Sequence, residues 1–391
     1  MVAITAAIKP NDAELPALLE RIAEIRPRLA ANAVAGEEAR RVEEDSIQAL
    51  ADAGAFKVSL SERYGGYNMS HRAALEVGRE VARADGGTAW VVSLINSGAW
   101  YTRVFPEQAQ DDIFGADPEA RVSVIITPSG VARRVEGGYM VSGKWFYNSG
   151  AWHATWALGA VQVEDEHGEP VGEGQFLMPA TEYTIEDVWY VSGMRSSGSN
   201  LLVAEDVFVP EHRMRIVPEV TQDSEQPYRA VAVPLALLGP QLGLGRAVFD
   251  LVMEKMPAKP IAYTSIERRG DWTAFRLDIA RASLLLDTAE LFARRAADDM
   301  DSIAATGKPL DRVTRSRVRA DIGWAVDHVT EAIDLLLSAA GSGSFADVNP
   351  IQRFWRDQAI VARHGYVSPP LAYEIYGTAL IGAEETVATI L

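Results

Sequence analysis

The stretch that decides the reading is Gly143-Lys144-Trp145-Phe146-Tyr147-Asn148-Ser149-Gly150. It lies in a region, Arg121 to Val209, that alternates like β-strands and turns at Gly and Pro, while the sequence on either side has helical spacing. Read as a strand, it sets Trp145 and Tyr147 on one face and Phe146 and Asn148 on the other, and Ser149-Gly150 then turns the chain. Rings beside hydroxyls and free backbone N–H groups suit a flat apolar ligand with a polar edge. The octapeptide alone leaves that reading level with a plainer one, an aromatic-rich hairpin packing its own core.

Working outward, Arg121 to Thr127, Tyr139 to Val141, Trp145 to Tyr147, Trp156 to Val163, Gly174 to Met178, Ile185 to Tyr190 and Leu201 to Phe208 read as strands at short, even spacing. They predict a small antiparallel barrel or sandwich. Upstream, Leu15, Leu18, Leu19, Ile22 and Ile25 recur at helical spacing, and helices resume at His71 to Ala84 and Thr88 to Phe105, the latter capped by Thr88. Downstream, a polar linker at Pro218 to Tyr228 leads to long helices: Val233 to Met256, Trp272 to Thr306, Leu310 to Ala340, Asn349 to Gly365, and Pro370 to the end. The expected architecture is α+β and multidomain: an N-terminal helical domain at 1–118, an antiparallel β-barrel at 119–217 and a C-terminal four-helix-bundle domain at 218–391. No heptad array stands out.

A chain of 391 residues with 48% hydrophobic and 23% charged content can bury a large core. Its net charge of -17 argues against nucleic acid or an anionic membrane as partner. The absence of cysteine removes disulfides, thiolate nucleophiles and Cys-ligated metals. Met1 to Pro10 lacks a signal-peptide pattern, and no stretch is read as reaching the roughly 20 apolar residues of a membrane span. A cytoplasmic protein is expected. Six histidines lie at spacings unsuited to a ligand pair, so no metal is expected. The glycines of Gly239-Pro240-Gln241-Leu242-Gly243-Leu244-Gly245 read as helix packing rather than phosphate binding.

Two further runs hold chemistry. Gly193-Met194-Arg195-Ser196-Ser197-Gly198-Ser199-Asn200 is a loop full of donors, fit for a carbonyl-rich edge or for plain solvation. In Gln352-Arg353-Phe354-Trp355-Arg356-Asp357, the two Arg share a helix face with Asp357 beside Arg353, and His364 follows where a helix dipole favours its charged form.

Together these residues resemble a known family. The helix, barrel, bundle order is similar to the acyl-CoA dehydrogenase fold, and the closer likeness is to its two-component flavin-dependent monooxygenases. Tyr64-Gly65-Gly66, Gly87-Thr88-Ala89-Trp90-Val91, Trp145 to Gly150, Trp189 to Arg213 and Gln352 to His364 carry it. The resemblance implies an oxygenase that takes reduced flavin (FADH2 or FMNH2) from a separate NAD(P)H:flavin reductase, with O2 as co-substrate and no metal. It would hydroxylate an aromatic small molecule through a flavin C4a-hydroperoxide. It implies Ile126, Thr127 and Trp145 against the flavin ring, Ser149 near N5, and Arg195, Ser197 and Ser199 near the ring or ribityl chain. His364 would serve the flavin peroxide, and Arg268 with Gly341, Ser342 and Gly343 would meet the flavin of a neighbouring subunit in a homotetramer, a dimer of dimers. Alternatives within the fold are an amino-sugar N-oxygenase and an acyl-CoA dehydrogenase. Ile375-Tyr376-Gly377-Thr378 lacks the dehydrogenase's carboxylate base, although Glu374 stands near. Some phenol-hydroxylating relatives carry His where Gly98 stands; with Asn96, Trp100 and Tyr101 as the substrate-binding set, a polycyclic phenol or an indole is the expected substrate type.

Overall fold

The computed structural model describes residues 10–217 and 226–383, with residue 387. The reading of the first nine residues and most of the expected linker lie outside them. The chain forms two compact units. The first takes the chain up to Ala74, Trp90–Val191 and Arg195 to the last strand; the second takes Leu75–Ala89, Ser192–Met194 and the chain beyond residue 224.

Helices open the chain. α1 (Leu15–Ala39) buries Leu18, Ile22 and Leu29 at helical spacing and accommodates Pro27 in its interior. α2 (Glu44–Ala53), α3 (His71–Ala82), α4 (Gly86–Thr102) and the short α5 (Glu107–Gln110) follow. The cap of α4 is Asp85 rather than Thr88: its carboxylate accepts from the Thr88 N–H and hydroxyl, both at 2.8 Å. An anion satisfies orphan N–H groups at the positive end of a helix, which a hydroxyl inside the first turn cannot.

Eight strands make one sheet: β1 (Val122–Val124), β2 (Gly130–Val135), β3 (Gly138–Asn148), β4 (Trp156–Glu164), β5 (Pro170–Pro179), β6 (Thr184–Glu186), β7 (Asn200–Pro210) and β8 (Met214–Ile216). Their order is β6-β7-β3-β2-β4-β5-β8, with β1 beside β4. The expectation of a wholly antiparallel domain is corrected here, because β1 and β2 run parallel to β4. Neither β2 nor β8 was foreseen, and the two short strands expected at 139–147 are one. The strand expected at 185–190 stops at Glu186, because the Asn200 amide oxygen accepts from the N–H groups of Val188 and Trp189 in place of a neighbouring strand. Trp145 anchors the sheet core with Phe176, Val161 and Leu202. Gly130 and Gly143 face each other across β2 and β3, and a Cβ on either would lie 2.7 Å from the Trp145 indole. Two side chains are missing so that one large one fits.

The second unit is helical: α6 (Gln226–Lys255), α7 (Thr273–Thr306), α8 (Arg312–Ala340), α9 (Pro350–Val361) and α10 (Pro369–Leu380). α8 lies against α6, α7 and α10. The glycine run is a packing device, as read: a Cβ at Gly239 or Gly243 would strike the carbonyls of Leu75 at 2.6 Å and Arg79 at 2.2 Å. The statement that no stretch reaches membrane-spanning length is corrected. Ala232–Lys255 is long and apolar enough by length and composition, yet 72% of its apolar window is buried inside the protein. It is a core helix.

Candidate functional site

The end of β3 breaks the alternation expected of it. A register shift falls between Trp145 and Asn148, so Phe146 and Tyr147 are both exposed while Trp145 and Asn148 are both buried. Tyr147 takes φ 68°, a left-handed backbone that an aromatic residue adopts only under constraint. Trp145 therefore corrects the sequence reading. It is fully buried, its Nε1–H donates to the Ala160 carbonyl at 2.7 Å, and its ring meets Phe176 edge-on. No face of it is open to a ligand; the exposed rings are Phe146 and Tyr147, the latter edge-on to Trp189.

Beyond the bulge the chain gathers hydroxyls. The Ser149 and Ser199 hydroxyl oxygens are 2.7 Å apart, as are those of Ser197 and Ser199. Trp90, on α4, donates its Nε1–H to the Ser149 oxygen at 3.2 Å, and the Gly150 N–H donates to the Ser197 carbonyl at 2.8 Å. Two loops far apart in sequence are thereby closed on one buried cluster. Beside it, the Asn148 side chain is fully buried with neither its nitrogen nor its oxygen hydrogen-bonded. Buried polar groups are rarely left so, and such a cluster is where a polar ligand edge or water completes the bonding. Ser149, Ser197 and Ser199 are thus brought together. Arg195 is not part of the cluster, because its guanidinium donates to the Glu37 and Val191 carbonyls. Ile126 is half-buried and Thr127 exposed, just past β1.

Two of the three residues assigned to substrate are structural. The Asn96 oxygen accepts from the Ser59 N–H, and its nitrogen donates to the Ala55 and Val92 carbonyls. Both N–H groups are used and the oxygen is engaged, so the amide serves the fold. Tyr101 is buried; Trp100 is half-buried, edge-on to His71. At Gly98 a Cβ would lie 2.0 Å from the Val122 carbonyl oxygen, so α4 and β1 leave no room for any side chain there.

In the second unit, His364 sits beyond the end of α9 and caps the next turn, its Nδ1 accepting from the Tyr366 N–H at 3.3 Å. That bond leaves Nε2 to carry the proton. The residue's outer surface is exposed, yet the crowding round its ring holds its pKa below the ordinary value of 6.5. The sequence reading had a helix dipole favouring the charged form; desolvation outweighs it.

With this geometry in view, the chain can be set beside known proteins. Family models described as Acyl-CoA dehydrogenase, N-terminal domain and C-terminal domain match residues 17–112 and 235–369. The flavin-dependent monooxygenase oxygenase subunit HsaA of Rhodococcus jostii is 33% identical over 93% of this chain and 98% of that one. The oxygenase component of p-hydroxyphenylacetate 3-hydroxylase from Acinetobacter baumannii is 29% identical over 94% of this chain and 89% of its own length. XiaF from Streptomyces sp., solved with FADH2 and glycerol, superposes with a TM-score of 0.92 at 33% identity, covering 96% of this chain and 98% of that chain. This chain belongs to the two-component flavin-dependent monooxygenases of the acyl-CoA dehydrogenase fold.

For a monooxygenase of this family, the second unit holds residues that the sequence reading missed or misjudged. Arg268 is exposed, whereas Arg269 turns inward and donates to the Ala339 and Ala340 carbonyls at 2.8 and 2.6 Å. It caps α8 just before Gly341, Ser342 and Gly343, of which the last two are exposed. Arg353 pairs not with Asp357 but with Asp85 at 3.7 Å, both buried. Asp357 accepts from the Met194 N–H, and Arg356 donates to the Ser192 carbonyl, so α9 grips residues 192–194. No spacing in the sequence announced these long-range partners. Glu374, the nearest carboxylate to the dehydrogenase position, is exposed on α10. Among the described residues, no group of three or more His, Asp or Glu could hold a metal ion.

Proposed function

We propose that this protein is the oxygenase component of a two-component system that hydroxylates an aromatic small molecule with O2, using reduced flavin supplied by a separate NAD(P)H:flavin reductase in the cytoplasm. The observation that carries the reading is the buried Ser149–Ser199–Ser197 cluster beside two exposed rings, in a chain 33% identical to an oxygenase subunit along nearly its whole length. The residues fit the cofactor. Phe146 and Tyr147 offer faces to a flat ring, and Ser149, backed by Ser199 and Ser197, offers hydrogen bonds to its polar edge together with Thr127. Bound reduced flavin supplies the activation of oxygen. The protein's own part is to orient ring and substrate, to keep water away and to hold a proton at His364 Nε2. A neutral His364 bearing that proton keeps its hydrogen-bond donor at neutral pH without adding a full charge.

Trp100, the half-buried member of the expected substrate set, supports an aromatic substrate, and the lack of room for a histidine at Gly98 counts against a simple phenol. A homotetramer is part of the proposal. Leu277, Leu284 and Leu291 on α7 recur every seventh residue with 66–67% of their surface exposed, a stripe that a second copy of the chain would cover.

The test is to mix the protein with chemically reduced FAD or FMN in aerated buffer, with and without candidate phenols and indoles, and follow product and hydrogen peroxide. Hydroxylated product with either flavin, in the absence of any reductase protein, supports the proposal. Reduction of bound oxidised flavin by an acyl-CoA, with no hydroxylation, refutes it. In the same assay His364→Ala is expected to lower product by about 10²-fold or more and to raise peroxide.

A further inference from the structure

The hydroxyl cluster of the first unit allows a count of hydrogens, and the inference drawn from it rests on the flavin reading above. Ser197, Ser199 and Ser149 are exposed by only 1%, 2% and 5%, so each hydroxyl hydrogen needs an acceptor within reach. Three hydroxyls carry three hydrogens, and the two links between them use two. The third is left on Ser149, on Ser197 or, if both ends donate inward, on Ser199, whose oxygen has no further hydrogen-bond partner among the described residues to take it. At the Ser197 end no further hydrogen-bond partner exists among the described residues, and burial there is deepest. At the Ser149 end the oxygen already accepts from the Trp90 Nε1–H. If Ser197 donates to Ser199 and Ser199 to Ser149, the oxygen of Ser149 receives two hydrogen bonds and its own hydrogen points out of the cluster. Run the other way, the spare hydrogen is stranded at the most enclosed of the three positions.

We propose that Trp90 and Ser199 are positioning residues that fix Ser149 as an outward hydrogen-bond donor, and that its target is a ring carbonyl of the flavin. The choice of atom follows from redox chemistry. A flavin ring nitrogen that gains a hydrogen on reduction becomes a donor and repels another donor, whereas the ring carbonyls accept in both redox states. A site that receives reduced flavin and releases oxidised flavin meets both forms, so a fixed donor suits the carbonyl edge. This departs from the placement of Ser149 near N5 that the family resemblance implied.

The test is anaerobic and aerobic titration of reduced and oxidised flavin into the wild type, Ser149→Ala, Ser199→Ala and the double variant, with melting temperatures as the folding control. Ser149→Ala is expected to weaken both forms alike by roughly tenfold, and Ser199→Ala both by about threefold. In the double variant, Ser199→Ala should add nothing beyond Ser149→Ala, because it acts through Ser149. Trp90→Phe, which keeps the ring and removes only the donor, should repeat the Ser199→Ala result. A loss confined to oxidised flavin points to the ring nitrogen, and one confined to reduced flavin makes Ser149 an acceptor. Either result overturns the proposal, as does an additive double variant or no loss at all. A wild type that binds neither form defeats the flavin reading itself and is thereby told apart.

Discussion

Asn96 and Asn148 are both buried asparagines in the first unit, at 3% and 0% exposure, and they stand in opposite chemical situations. Asn96 on α4 has spent its amide on three backbone partners, tying Ala55 and Ser59 to the helix. Asn148 at the end of β3 has spent nothing. Its facing partner across the sheet, Asn200, has its oxygen committed to Val188 and Trp189 and its nitrogen unbonded. The difference separates a polar group that holds the fold from one held by it. Position on a promising helix is a weaker sign of function than an incomplete set of hydrogen bonds.

The sharpest way to break that contrast is Asn96→Leu. It keeps the bulk, removes both hydrogen-bonding ends and strands the Ser59 N–H and the Ala55 carbonyl, so a loss of about 3 kcal/mol in urea denaturation is expected. Asn148→Leu is expected to change stability by about 1 kcal/mol or less, in either direction, since it removes an unsatisfied group. Equal damage from the two variants would mean that Asn148 has an internal water as its partner, and the contrast would collapse.

A smaller effect comes from histidine. Burial lowers the pKa of His153 and of His364 below 6.5, with Glu44 opposing that shift at His153 and Arg41 and Arg121 reinforcing it. A folded-state pKa below the unfolded one means that the unfolded chain binds the proton more readily. The stabilisation is therefore complete above pH 6.5 and fades as pH falls through the lowered values. Melting temperature should drop on acidification below that point, and less steeply in His153→Gln. An unchanged slope in that variant would remove His153 from the account.

Much of the architecture was legible because it rests on local patterns. Leu18 and Ile22 announce α1, and Gly and Pro punctuate the β region. The parallel pairing of β1 and β2 with β4 was not legible, since strand partners are chosen by long-range packing that no local period records. At the site, Ser149, Ser197 and Ser199 were named from their loops, and the structure closes those loops on each other. Trp145 was misassigned because the resemblance set its ring on the flavin, whereas it continues the buried face of Tyr139 and Val141; it is Tyr147 that the register shift parts from that face. Asp85 escaped notice and Asp357 was given the wrong neighbour because their partners, Arg353 and Met194, lie more than a hundred residues away along the chain.

The contact between Gly98 and the Val122 carbonyl sets a limit for anyone re-engineering this enzyme. A phenolate-gripping histidine cannot be grafted onto α4 at that position unless β1 is rebuilt first, so a switch in substrate preference has to be sought elsewhere. The opening moves belong at Trp100, two residues short of the helix end and half-buried.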